Sequence, residues 1–214
     1  MAVILDNKTP RSPSVFRPDA LLREARRQKA IPFEEVPRVC VLDPDGDLVR
    51  VLRESGSATR FSGWPCYHTE LDTFPLGRHK AGIIGRVVGA PFAVLIAEEL
   101  FASGCRLLVS LTSAGQITPA GKPPYFVVID RALRDEGTSY HYAAPAEFAD
   151  ANAELAAALY TFARVANVQV LCLAHVTNTM AQAGADFEKG EADGTRDALA
   201  VLEAVVSALE TPIA

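Results

Sequence analysis

The sequence predicts an α/β fold: a single domain whose central mixed, mostly parallel sheet is flanked by helices. Two observations lead there. From Ala81 onward, short apolar runs rich in β-branched residues alternate with longer segments of helical period. Strands that alternate with helices close into a mainly parallel sheet through right-handed crossovers. In addition, 214 residues, 49% of them hydrophobic, suffice for one sizeable core. No internal repeat or low-complexity tract divides the chain.

The elements follow in order. Residues 1–19 carry Pro10, Pro13, Pro18 and scattered charge, and are expected to form an N-terminal arm ahead of a domain over 20–214. Residues 21–29 predict a short basic helix started by Pro18-Asp19. Residues 39–42 predict a strand, closed by the Asp43-Pro44-Asp45-Gly46 turn, and a helix follows over 48–54. Residues 56–63 read as a polar loop, and 64–71 mix aromatic and polar residues without a clear period. Further strands are expected over 81–88, 106–112, 125–133 and 168–176. Helices are expected over 91–103, 146–166 and 192–209, the first apolar nearly all round and therefore buried.

Bulk charge limits the partners. A net charge of −5 gives no general basic field for nucleic acid or anionic lipid, although it leaves room for a small local anion site. Cys40, Cys66, Cys105 and Cys172 lie far apart with no CxxC pair, so no metal is expected. No uninterrupted apolar run reaches membrane-spanning length. Met1 to Leu5 is too short for a signal peptide before Asp6 and Lys8. The expectation is a cytoplasmic protein.

The most informative stretch is Arg131 to Tyr142. It follows the run Tyr125 to Ile129, which reads as a buried strand, and so places two arginines, two acids, two hydroxyls and a histidine where that strand ends. Open α/β sheets bind ligands at the carboxyl ends of their strands. A solvated loop leaving the sheet is the plain alternative.

The wording of this stretch resembles the R-x-EGTS-x-HY segment of the nucleoside phosphorylase and uridine phosphorylase superfamily. Three more segments resemble that family in the same order. Val41 to Val51 is similar to its GDPxRV turn. Val88-Gly89-Ala90-Pro91-Phe92, before a helix containing Ala97-Glu98-Glu99-Leu100, is similar to its GIGGPS and EEL segments. Ser110 to Ile117 is similar to its GT-x-GGI strand end. The resemblance implies a phosphorylase-like α/β domain that transfers a nucleoside's pentosyl group to inorganic phosphate, with no cofactor. It also implies a homodimer or dimer-based oligomer, with Phe61, Trp64 and Tyr67 offering apolar surface for the interface.

Such a reaction passes through an oxocarbenium-like state, as glycoside hydrolysis does. The enzyme must place the acceptor, grip the ribose and stabilise the departing base. The resemblance assigns phosphate to Gly46, Arg50 and Thr112. Glycine lets a backbone approach an anion and arginine binds it by paired donors. A plain Asp-Gly turn, a surface arginine and a strand-end threonine are the alternatives. Glu154 lies in a segment similar to the family's MEAAALY and is the candidate ribose ligand; a solvent-facing helical glutamate is the alternative. A one-residue slip there, to Leu155, turns the side chain by about 100°. Asn178 stands where purine-cleaving relatives carry a catalytic aspartate, and an amide can hydrogen-bond a base without acting as a strong acid. His175, Arg134 and Glu136 are candidate substrate contacts.

The departures from the family matter as much. Val109 stands where the phosphorylases often carry an arginine, and Arg60 lies near, but not at, the position of an arginine lent by a neighbouring subunit. A helix, a strand and a base-contacting loop that relatives insert after the position of Tyr142 are missing. These departures admit two rivals, a nucleosidase using water and a non-catalytic nucleoside-binding relative. No GxGxxG follows a strand and no GxSxG elbow occurs, which disfavours a dinucleotide enzyme and a serine hydrolase.

Overall fold

The computed structural model describes residues 9, 12–150, 157–180 and 194–210. The elements are α1 (Pro18–Lys29), β1 (Val39–Asp43), α2 (Asp47–Glu54), β2 (Thr59–Arg60), β3 (Asp72–Leu76), β4 (His79–Gly85), α3 (Ala90–Ala102) and β5 (Leu107–Gln116). They continue with β6 (Tyr125–Val128), β7 (Arg131–Leu133), a short 3₁₀ turn (Ser139–His141), β8 (Phe148–Asp150), α4 (Ala157–Ala166), β9 (Gln169–Thr179) and α5 (Gly194–Glu210). Seven strands form one sheet in the order β2-β3-β4-β1-β5-β9-β6. The four central strands, β4, β1, β5 and β9, run parallel, while β3 and β6 run antiparallel to their neighbours. This is the mixed, mostly parallel sheet that the alternating pattern predicts.

Both faces of the sheet are covered, which is why its central strands are apolar without interruption. Cys40 and Leu42 of β1, with Leu108 of β5 and Cys172 of β9, pack under α3 and α4. Val41, Val109 and Leu173, one residue out of phase, pack under α2 and α5. The period-two alternation of a strand divides the apolar residues between the two cores.

Four sequence expectations need correction. The run 125–133 is not one buried strand. It breaks after Val128, where β6 ends as an edge strand on β9, and resumes as β7, which pairs with β8 in a separate two-stranded sheet. Val128 is more than half exposed. A β-branched run fits an edge as well as a core, so composition did not separate them. Residues 148–150, expected in a helix, are β8. The hairpin β3-β4 contains a strand that was not expected, because Pro75 and a charged first residue, Asp72, masked it. Finally, Phe61 and Trp64 are buried in the core beside α3, leaving Tyr67 the one largely exposed residue of the three proposed for an interface. Among the described residues no helix is long and apolar enough to cross a membrane.

Candidate functional site

A cavity of about 360 Å³ opens at the carboxyl ends of β1, β5 and β9. Its floor is the turn after β1, with Asp43, Asp45, Asp47 and Arg50. One wall is Leu111, Thr112 and Ser113 of β5, and the other is His175 and Thr177 of β9 with Gly194 and Thr195 at the start of α5. Parallel strands put their ends on one side of the sheet, so residues far apart in sequence meet there.

The floor is ordered by its own hydrogen bonds. Asp43 is buried. Its Oδ1 accepts from the Gly46 N–H at 3.1 Å and its Oδ2 from the Val49 N–H at 2.9 Å. It thus caps α2 from inside, and a negative group suits the positive end of a helix. Burial raises the Asp43 carboxyl above its ordinary value, against the pull of these two N–H donors. Asp45 reaches across the cavity to accept from the Ser113 N–H at 2.7 Å, 68 residues away. Gly46 takes the left-handed φ of 79° that the turn needs, which glycine adopts at little cost.

The other wall is more apolar. The His175 ring lies parallel to Phe126, with centroids 4.4 Å apart. Its Nε2 is buried and has no hydrogen-bond partner among the described residues. Burial lowers the His175 pKa, opposed by the Asp197 carboxylate. Gly194 lets α5 begin directly against this ring, since a Cβ there would stand 2.5 Å from His175 Cε1.

The structure therefore gathers Arg50, Thr112 and His175 around one cavity. Gly46 lies in the turn beneath them, but its N–H is turned inward to Asp43. Arg50 pairs on its own helix with Glu54 at 3.2 Å and Asp47 at 3.5 Å. Asn178 is half-buried one residue beyond Thr177 on β9, where the ladder to β5 shifts register and pairs Asn178 with Gly115; it does not line the cavity. Thr177 Oγ1 donates to the Asn178 Oδ1 at 3.3 Å. Glu154 lies outside the described residues. Val109, at the position where relatives carry an arginine, is in the core under α2 and α5.

Arg134 and Glu136 are placed elsewhere, as parts of a closed knot. Because β6 runs antiparallel to β9, the chain leaves it at the end of the sheet opposite the cavity. Arg134 is buried, donating to Ser139 Oγ at 2.9 Å, to the Ala144 carbonyl at 2.7 Å and to the Ala143 carbonyl at 3.3 Å. Glu136 accepts from the Thr138 and Ser139 N–H groups. These contacts occupy both side chains, and neither lines the cavity.

Sequence reasoning missed Asp45, Ser113, Thr177 and Thr195 as lining residues. It also missed Arg86, which follows β4 beside Gly46. Among the described residues, no group of three or more His, Cys, Asp or Glu side chains is arranged to hold a metal ion. A family model described as "Phosphorylase superfamily" matches residues 38–159, more than half of the chain. The match spans β1, α2 and β5, which build one half of the cavity, and stops before β9 and α5, which build the other. No curated protein matches the chain.

Proposed function

We propose, because the chain belongs to the phosphorylase superfamily, that it cleaves the N-glycosidic bond of a nucleoside in this cavity, with water receiving the pentosyl group. The observation that carries the choice of water is the acidic floor. Asp43, Asp45 and Asp47 line the cavity, and Arg50 is already paired with Asp47 and Glu54. A phosphate dianion would meet repulsion there, and the Gly46 N–H that should receive it is engaged by Asp43. A glycosyl group gaining positive charge is instead favoured beside carboxylates.

Asp45, held by the Ser113 N–H, opposes that charge and offers an oxygen to the sugar hydroxyls. Neutral His175, on the cavity wall, accepts the proton of the attacking water. Thr177 offers a hydroxyl to the leaving base. The reading is tested by following free base by chromatography over purine and pyrimidine nucleosides, with and without phosphate. Base release at equal rates in both, reduced in Asp45→Ala, supports it; no release from any nucleoside overturns it. Phosphate as acceptor is the second reading, favoured by the arginines beside Gly46, and release that depends on phosphate would establish it.

A further inference from the structure

At the end of the sheet opposite the cavity, where the parallel strands begin, three cations stand in a row. The ladder of β1 and β5 pairs Val39 with Leu107. One residue earlier, the Arg38 carbonyl accepts from the Arg106 N–H at 2.8 Å and from the Leu107 N–H at 3.0 Å, so Arg38 and Arg106 sit side by side. The ladder of β1 and β4 pairs Cys40 with Gly82, and the same register carried two residues back sets Lys80 beside Arg38. We propose that the row Lys80, Arg38, Arg106 is a binding site for a polyphosphate chain, either free or carried on a nucleotide.

The row lacks the partners that other basic residues have. Arg17, Arg27, Arg50, Arg53 and Arg60 each pair with a carboxylate. Lys80, Arg38 and Arg106 are exposed, with no side-chain hydrogen bond or ion pair to a described residue. This holds although the chain carries 26 acids against 21 lysines and arginines. Glu34 and Glu35, the acids that lead into β1, pack elsewhere: a Cβ on Gly63 would stand 3.0 Å from Glu34 Oε2, and one on Gly104 would stand 3.1 Å from Glu35 Cβ. Neither forms an ion pair with a described residue. Like charges on neighbouring strands repel, so the row costs stability until an anion lies across it.

The spacing selects the ligand. Neighbouring strands lie about 4.8 Å apart, so three of them span about 10 Å. A guanidinium grips a phosphoryl group by two parallel N–H donors. A single orthophosphate or carboxylate is too small to meet the whole row. A chain of phosphoryl groups carries charge on every link and meets each cation in turn. None of the three cations lines the cavity. The site is therefore separate from that of the proposed cleavage, and the inference does not rest on the glycosidase reading.

Calorimetry on the full chain would compare orthophosphate, tripolyphosphate and adenosine triphosphate, in wild type, Arg38→Gln, Arg106→Gln and the double variant. Lys122→Gln serves as control, because Lys122 is exposed in the connection after β5, at the other end of the sheet. The expected result is that tripolyphosphate binds more tightly than orthophosphate. Each single variant should weaken it by roughly tenfold and the double variant by roughly a hundredfold, while Lys122→Gln leaves it unchanged. Thermal midpoints of the arginine variants should not fall below wild type, since each removes a repulsion, so lost affinity is not lost fold. Adenosine triphosphate that binds as tightly as tripolyphosphate, with the same losses, identifies a site that reads the phosphate chain alone. Tighter binding with the same losses identifies a nucleotide as the carrier. Tripolyphosphate that fails to bind, or that keeps its affinity in the double variant, overturns the proposal. Equal loss in Lys122→Gln also overturns it, because overall charge would then account for the binding.

Discussion

The His175 imidazole lies flat against the Phe126 ring, with planes 8° from parallel. It is fixed between an edge strand and the start of α5, and burial holds it in its neutral form. In the proposed reaction that form is the active one. Base release should therefore be constant above the imidazole pKa and fall on the acid side, with a midpoint below the ordinary value of 6.5. His175→Gln should remove this acid limb and lower kcat by roughly a hundredfold or more. Rates measured between pH 4.5 and 8 would check both.

The same shift bears on stability. The folded state resists protonating His175, whereas the unfolded chain takes up the proton near 6.5. The contribution is thus fully present above 6.5 and is lost as pH falls toward the lower folded value. Thermal midpoints over this range should fall less steeply in His175→Gln than in wild type, once the other titrating groups, common to both, are subtracted.

Asp43 should matter for folding before it matters for chemistry. Removing its carboxylate leaves the Gly46 and Val49 N–H groups without their side-chain acceptor. Asp43→Ala should destabilise the fold by about 1–3 kcal/mol in urea titrations. Asp43→Asn should cost less, because one oxygen remains to accept.

Arg134 gives a contrasting case. Arg134→Ala would leave Ser139 Oγ and the Ala143 and Ala144 carbonyls without their donor. The expected loss of stability is about 2–3 kcal/mol, with KM for nucleoside unchanged in the folded fraction. A raised KM at full stability would return Arg134 to the substrate site.

Gly46→Ala should be destabilising on two counts, a left-handed φ of 79° and a contact at 2.9 Å with Arg86. A cost on the order of 1–2 kcal/mol is expected. In an Arg86→Gly background the contact is gone and part of that cost should be recovered, which a double-mutant cycle would measure.

The central sheet was legible because its signal is local. The apolar runs of β1, β5 and β9 are short and alternate with segments of helical period, which fits buried strands. Partner choice is not local, and this is where the reading failed. Tyr125 to Leu133 looks the same as an edge strand, a core strand or two short strands, and only its pairing to β9 and then to β8 decides. The candidate site divided along the same line. Thr112 and His175 line the cavity, as their places at strand ends suggested. Arg134 and Glu136 lie away from it, hydrogen-bonded within their own loop. Asp45 was hidden because its reach to Ser113 crosses 68 residues. Arg86 had a signal, an arginine directly after a buried strand and before a glycine-containing turn. Its position over Gly46 could not be read from spacing.

The account turns on what receives the pentosyl group, and phosphorus NMR of a cleavage reaction run in phosphate buffer measures that directly. With Asp43, Asp45 and Asp47 beneath the sugar, the expected products are free base and free pentose, with no new phosphate-ester signal beyond any carried in by the substrate. Accumulation of pentose 1-phosphate in step with the released base would contradict the account.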